Sequence, residues 1–231
     1  MRPMRECLNP WLAVPLQADY VLPSDSDAIY KFNAKAREMC KVQLNVLPEP
    51  FIGRTGAPVV LLGLNPGFGD RDPAAHARPE FQTLLRNNYN HGRSAFPFYF
   101  LDPSLESQGR TWWEKKLKWL LERFKREELA WSILYVEYFP YHSRRFDHAS
   151  PALPSQEYGF DLVRSAICRG SVVVIMRSRK LWVSKVPELE SYPLAFTLKN
   201  PQTVTVSSGN FVNCAGFDVV VSAIRDGNVH A

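Results

Sequence analysis

The sequence predicts a single α/β domain, a three-layer α/β/α sandwich built on a mainly parallel four-stranded sheet. Two observations predict it. The apolar runs Val59-Val60-Leu61-Leu62 and Val172-Val173-Val174-Ile175-Met176 do not alternate with polar residues, which is the pattern of strands buried on both faces. Stretches with apolar residues at helical spacing separate such runs, and alternating strands and helices demand a parallel sheet with right-handed connections. A chain of 231 residues needs only one core, so the domain spans 1–231.

Residues 1–23 mix prolines with scattered apolar side chains and read as an extended N-terminal arm lying on the body. Ser24 and Asp25 offer N-caps to a helix on Ile29, Phe32, Ala36 and Met39. Residues 45–58 hold three prolines and two glycines and read as the loop entering the first strand. From Asp70 to Arg93 the chain is polar, with a short helix around Phe81, Leu84 and Leu85, and a loop of this length is usually functional or mobile. The aromatic run Ala95 to Phe100 either closes the core or lines a pocket. Thr111-Trp112-Trp113-Glu114 has the form of a capping box, followed by an apolar stripe on Trp113, Leu117, Leu120, Leu121 and Phe124. A second strand is expected over Ser132–Pro140, a helix over Ser155–Arg169, a third strand at Val172–Met176 and a short helix through Trp182. Thr203–Val206 is expected as the fourth strand, before a last helix on Phe211, Cys214, Phe217, Val221 and Ile224.

Lys and Arg number 28 against 23 for Asp and Glu, a net charge of +5 that favours a polyanionic partner such as nucleic acid. Cys7, Cys40, Cys168 and Cys214 stand far apart with no C-x-x-C pair and read as free thiols, which makes a cytoplasmic location the expectation. No apolar stretch is long enough to span a membrane. Walker A, G-x-G-x-x-G and G-x-S-x-G motifs are missing, and the histidines His76, His91, His142, His148 and His230 show no i, i+4 pairing. Neither a cofactor nor a metal is therefore expected.

What remains is the set of strand ends. The first strand runs into Gly63-Leu64-Asn65-Pro66-Gly67-Phe68, and in open α/β sheets the ligand crevice lies outside the carboxyl ends of the strands. Asn-Pro-Gly is also ordinary turn chemistry. The second strand carries Glu137 at its end, and an ionised carboxylate only accepts hydrogen bonds. One reading is that Glu137 pairs with Arg144, Arg145 or Arg177. His142 lies just past the same strand and is a candidate proton donor or anion stabiliser. Arg144-Arg145 and Arg177, with Arg179 and Lys180, follow strand ends and are placed either to track a phosphate backbone or to form a solvated rim.

Gly63-Leu64-Asn65-Pro66-Gly67 resembles the first motif of the uracil-DNA glycosylase superfamily, in its mismatch-specific and single-strand-selective branches, and Phe96-Pro97-Phe98 with Trp112-Trp113 is similar to the family's next segment. The resemblance implies that Asn65 positions the hydrolytic water, that Gly63, Leu64, Pro66, Gly67 and Phe68 border the base, and that Phe98 stacks on it. It places Glu137 where the single-strand-selective enzymes read uracil with asparagine; an acceptor-only carboxylate there suits an edge presenting two donors, such as that of guanine, so the expectation is a base preference shifted away from plain uracil or a loss of glycosylase activity. Ser208-Gly209-Asn210 stands where the last motif approaches the DNA, although only Ser208-Gly209 of that motif is retained. The implied activity is hydrolysis of the N-glycosidic bond of a damaged or mispaired base by a monomer acting on DNA, as a single strand or as a duplex with an extruded base. The rivals are a non-catalytic nucleic-acid or nucleobase-binding protein on the same fold, and a hydrolase of nucleosides or similar small molecules.

Overall fold

The computed structural model describes residues 8–228. Their strands are β1 (Phe51–Gly53), β2 (Val59–Leu62), β3 (Ile133–Val136), β4 (Val172–Ile175) and β5 (Ala195–Thr197). The α-helices are α1 (Pro23–Asn33), α2 (Asp72–His76), α3 (Pro79–Tyr89), α4 (Gln108–Lys116), α5 (Lys118–Leu121), α6 (Arg126–Ser132), α7 (Gln156–Cys168), α8 (Arg179–Lys185) and α9 (Gly216–Asn228). None is long and apolar enough to cross a membrane.

The strands form one sheet in the order β1-β3-β2-β4-β5, parallel except for β1, which runs antiparallel to β3 at the edge. The sheet therefore has five strands rather than four, and it is mixed. β1 falls within the stretch expected to be a loop, because it is only three residues long and its prolines and glycine mask it. Gly53 has φ +111°, and a Cβ there would lie 2.2 Å from the carbonyl oxygen of Ile133, so the close approach of β1 to β3 requires glycine.

β2, β3 and β4 are buried at every position. Their register pairs Leu62 with Val136 on one side and with Ile175 on the other, so the three strands end level. Gly63 N–H donates to Val136 O at 2.9 Å and Met176 N–H to Leu62 O at 3.0 Å, which sets Gly63, Glu137 and Met176 side by side along one edge of the sheet.

Other expectations change as well. Ser24 and Asp25 lie inside α1, whose N-cap is Leu22 with no side-chain bond, and α1 ends at Asn33, short of Ala36 and Met39, while α9 starts at Gly216, past Phe211 and Cys214. Thr203–Val206 is not a strand: Val204 sits at φ +42° and Val206 N–H bonds to Lys116 O, so β5 forms earlier, at Ala195–Thr197. The helix expected to begin at a Thr111 capping box begins instead at Gln108, where the Ser107 side chain accepts from Arg110 N–H at 3.1 Å. Glu114 is taken up by ion pairs with Arg110 and Arg126, and the helix breaks at Leu117 before α5 resumes. The arm from Leu8 onward is anchored by Trp11, 1% exposed, while Cys7 and His230 lie outside the described residues.

Candidate active site

A cavity of about 570 Å³ opens over the level ends of β2, β3 and β4. Its wall from β2 is the turn 63–69, and the loop after β3 is stitched to that turn. Phe139 N–H donates to Leu64 O, Ser143 N–H to Pro66 O, and His142 Nδ1–H to Gly67 O at 2.6 Å. Asn65 joins the same lattice: its Nδ2 donates to Pro66 O at 2.9 Å and to Ser143 Oγ at 3.0 Å. Both amide protons are thus engaged, and nothing among the described residues donates to Oδ1. The half-buried Asn65 borders the cavity with a side-chain carbonyl that can only accept, which suits orienting a water and cannot itself take up a proton.

Glu137 lies on the cavity floor, 6% exposed. Tyr135 Oη donates to its Oε1 at 2.6 Å, while Oε2 is buried without a partner. The space for this pair comes from Gly63, since a Cβ there would stand 1.9 Å from Tyr135 Oη and 2.2 Å from Glu137 Oε2. Trp182 Nε1–H holds the Gly63 carbonyl at 2.7 Å and so fixes the backbone. Burial pushes the Glu137 carboxyl up to about 8, against the opposing pull of Tyr135, Arg177 and the Leu64 N–H. At neutral pH it is a carboxylic acid, and the ionised double acceptor expected from the sequence gives way to a group that can also donate. The ion pair with Arg144, Arg145 or Arg177 is not formed: Arg144 pairs with Asp70 and lies over the Phe68 ring, and Arg177 donates to Pro201 O.

His142 is buried, and burial lowers its pKa. Because Gly67 O can only accept, the ring proton sits on Nδ1, and Nε2 is a buried lone pair without a partner. His142, expected from the sequence as a proton donor or anion stabiliser, thus borders the cavity with its Nδ1–H committed to Gly67 O. Next to it lies His76, with ring centroids 5.2 Å apart, and beyond that Glu49. Glu49, His76 and His142 bring ligand atoms within 4.8 Å of one another, a spacing that a metal ion could use. The tautomers argue otherwise. Leu47 N–H donates to His76 Nδ1 at 3.1 Å, which puts that ring's proton on Nε2 and removes the lone pair a cation would need. Burial and the neighbouring His142 lower His76 to about 2, and burial, with the charges of Asp72 and Glu137, raises Glu49 to about 8. The floor of the cavity is therefore lined by four groups whose burial favours their uncharged forms.

The aromatic wall differs from expectation. Phe98 is fully buried and does not line the cavity: Phe98 N–H bonds to Ala130 O, and its ring lies edge-on to Trp113 at 4.9 Å. Phe100, Trp112, Trp113 and the half-buried Phe68 face the cavity instead. Arg144, Arg145 and Arg177 stand along its border. Ser208, Gly209 and Asn210 do not line it. Asn210 is absorbed in its own loop, donating from Nδ2 to Thr205 O and accepting at Oδ1 from Asn200 N–H. Gly63, Leu64, Pro66, Gly67 and Phe68 all border the cavity with Asn65.

Sequence reasoning missed Glu49 and His76. They are 27 positions apart by number, neither belongs to a motif, and only the packing of α2 beside the segment before β1 brings them to one floor. Comparison of the chain with family models, with curated proteins and with solved structures finds no match.

Proposed function

We propose that this chain is a DNA glycosylase, built as a three-layer uracil-DNA glycosylase-like sandwich, that hydrolyses the N-glycosidic bond of a damaged or mispaired base. The observation that carries the reading is Asn65: an amide at the end of a buried parallel strand, both protons tied down, its Oδ1 left without a donor beside a cavity of about 570 Å³ with an uncharged polar floor and an aromatic wall. Such a cavity suits a flat, neutral heterocycle removed from its stack, because neutral hydrogen-bonding groups cost less to desolvate than ions and the aromatic wall offers stacking.

In the reaction a water held by Asn65 Oδ1 approaches C1′ of the sugar. Its oxygen bonds to C1′ as the C1′–N bond breaks, the bonding electrons leave with the base, and the proton released from the water ends on the base nitrogen or in solvent. Asn65 supplies orientation and no proton transfer, so positioning carries most of its effect. Arg144, Arg145 and Arg177 at the border are placed to meet the phosphates flanking the extruded nucleotide. Every group named comes from one chain, so a monomer suffices.

The test is base release from oligonucleotides carrying uracil, hypoxanthine, xanthine or a mismatch. Wild type is expected to release at least one of these, and Asn65→Ala to slow release by about 10²-fold or more, the scale of losing one preorganised polar group. Salt-sensitive DNA binding with no release from any member would replace the enzyme with a nucleobase-binding module.

A further inference from the structure

A second cavity, of about 210 Å³, shares no lining residue with the first. Gly53 in its wall pairs with Leu134 near the start of β3, so this cavity sits toward the opposite end of the sheet from the candidate active site. We propose that it is a binding site for a phosphomonoester group, held by the guanidinium groups of Arg54 and Arg93 beside Trp131.

Charge is the first observation. Arg54 and Arg93 border the cavity, and no Asp or Glu among the described residues does. Arg110, Arg126, Arg144, Arg164 and Arg179 each pair with a carboxylate, whereas neither Arg54 nor Arg93 does so among the described residues. Arg169 donates to the carbonyl of Thr55, next in the chain to Arg54, and adds a third positive charge nearby. Guanidinium groups stay charged at every pH a folded protein meets, so this balance does not turn on protonation.

Arg54 also lacks a bond. Its Nε is buried without an acceptor, and leaving a charged donor so is costly, a cost that a bound anion removes. The Trp131 ring, its Nε1–H tied to Ala95 O at 3.1 Å, has its centroid 5.4 Å from the guanidinium carbon of Arg54. A ring face attracts the cation while occupying none of its five N–H donors, so the fork is held without being used up. Arg93 is placed by a short loop. Gly92 N–H bonds to Asn87 O at 2.9 Å and Asn87 Nδ2 donates to Arg93 O at 3.3 Å. A Cβ at Gly92 would stand 1.9 Å from Asn87 Oδ1, so the close approach that fixes this loop against α3 requires glycine.

Size and charge give the ligand class. The cavity is smaller than those that enclose drug-sized molecules, so it takes one small group. A phosphomonoester brings about two negative charges at neutral pH and three acceptor oxygens to two guanidinium forks, where a carboxylate brings one charge and two oxygens.

The inference does not rest on the glycosylase reading, and its test needs no base release. Methyl phosphate and acetate are each titrated into the protein while the indole N–H resonance of Trp131, assigned from Trp131→Phe, is followed. Wild type is expected to shift that resonance with methyl phosphate and to bind acetate about tenfold or more weakly. Arg54→Gln should weaken methyl phosphate binding read at Trp131 by about tenfold or more, and Arg93→Gln several-fold. Arg177→Gln, at the first cavity, should leave it unchanged. Arg54→Lys keeps the charge and loses the fork, so it should fall between wild type and Arg54→Gln. An oligonucleotide with a 5′-phosphate is compared with its 5′-hydroxyl form. Tighter binding of the first, lost in Arg54→Gln, assigns the phosphate to the end of a nucleic acid, and equal binding assigns it to a small molecule. No shift of the Trp131 resonance in wild type, undiminished binding in folded Arg54→Gln and Arg54→Lys, or acetate bound as tightly as methyl phosphate would overturn the proposal.

Discussion

Two asparagines follow turns in this chain, and the sequence places both at the same site. Asn65 ends β2 with its two amide protons bound and its carbonyl oxygen without a donor. Asn210 closes the loop before α9 with its amide bound to Thr205 O and its carbonyl bound to Asn200 N–H, and it does not line the cavity. The two side chains have identical chemistry and different settings. A functional polar group is marked by the bond it has not made in a place where water is partly excluded, and residue type does not reveal that.

The largest expected effect separates the two directly. Asn65→Ala should reduce base release by about 10²-fold or more and lower stability by about 1–2 kcal/mol, the scale of its two lost side-chain hydrogen bonds. Asn210→Ala should keep the second effect and lose the first. Release should stay within a few-fold of wild type while stability falls by about 1–2 kcal/mol, the scale of two lost side-chain hydrogen bonds. Assaying both variants for release and for denaturant midpoint checks the pair, and a comparable loss of release in both would dissolve the contrast.

Gly63→Ala is expected to come next. Its Cβ would collide with Tyr135 Oη and Glu137 Oε2, so either those side chains move or the backbone held by Trp182 Nε1 does. Nucleobase binding should weaken by about tenfold or more even though Asn65 is untouched, since the floor that receives the base is displaced. A crystal structure of the variant with Tyr135 and Glu137 unmoved and binding unchanged would show that the close approach has no role.

How much of this was legible follows the same distinction. β2 and β4 announce themselves through unbroken apolar runs, and Asn65, Glu137 and His142 lie just beyond strands, so local sequence placed them beside the cavity. The face of a residue inside an irregular segment has no such signal. Phe98 and Phe100 are two positions apart in one aromatic run and both are buried in the core, yet only Phe100 also borders the cavity. Thr203–Val206 carries strand-forming residues, yet the left-handed Val204 keeps it off the sheet edge. Glu49 and His76 meet through tertiary packing alone. The charge state of Glu137 was equally hidden, for it depends on burial and on the missing ion pair.

The smallest expected effect is on stability, and it sharpens the contrast because the cavity titrates and the Asn210 loop does not. Glu49 and Glu137 are raised from an ordinary 4.5 to about 8, so between these values the folded protein binds more protons than the unfolded chain and stability declines as pH rises. His76 is lowered from 6.5 to about 2, so the folded protein binds fewer protons there and stability declines as pH falls below 6.5. The two trends oppose each other between 4.5 and 6.5, and from about 6.5 to 8 the carboxyls act against no opposing trend from His76. The thermal midpoint of wild type should therefore drop across that upper window. Replacing both carboxyls, Glu49→Gln with Glu137→Gln, should flatten the curve there, because neither amide can ionise. Asn210→Ala should lower the midpoint by the same amount at every pH and leave the shape intact. A slope in the double variant equal to that of wild type would mean that the two buried carboxyls ionise as easily folded as unfolded, and the uncharged floor on which base recognition depends would have to be abandoned.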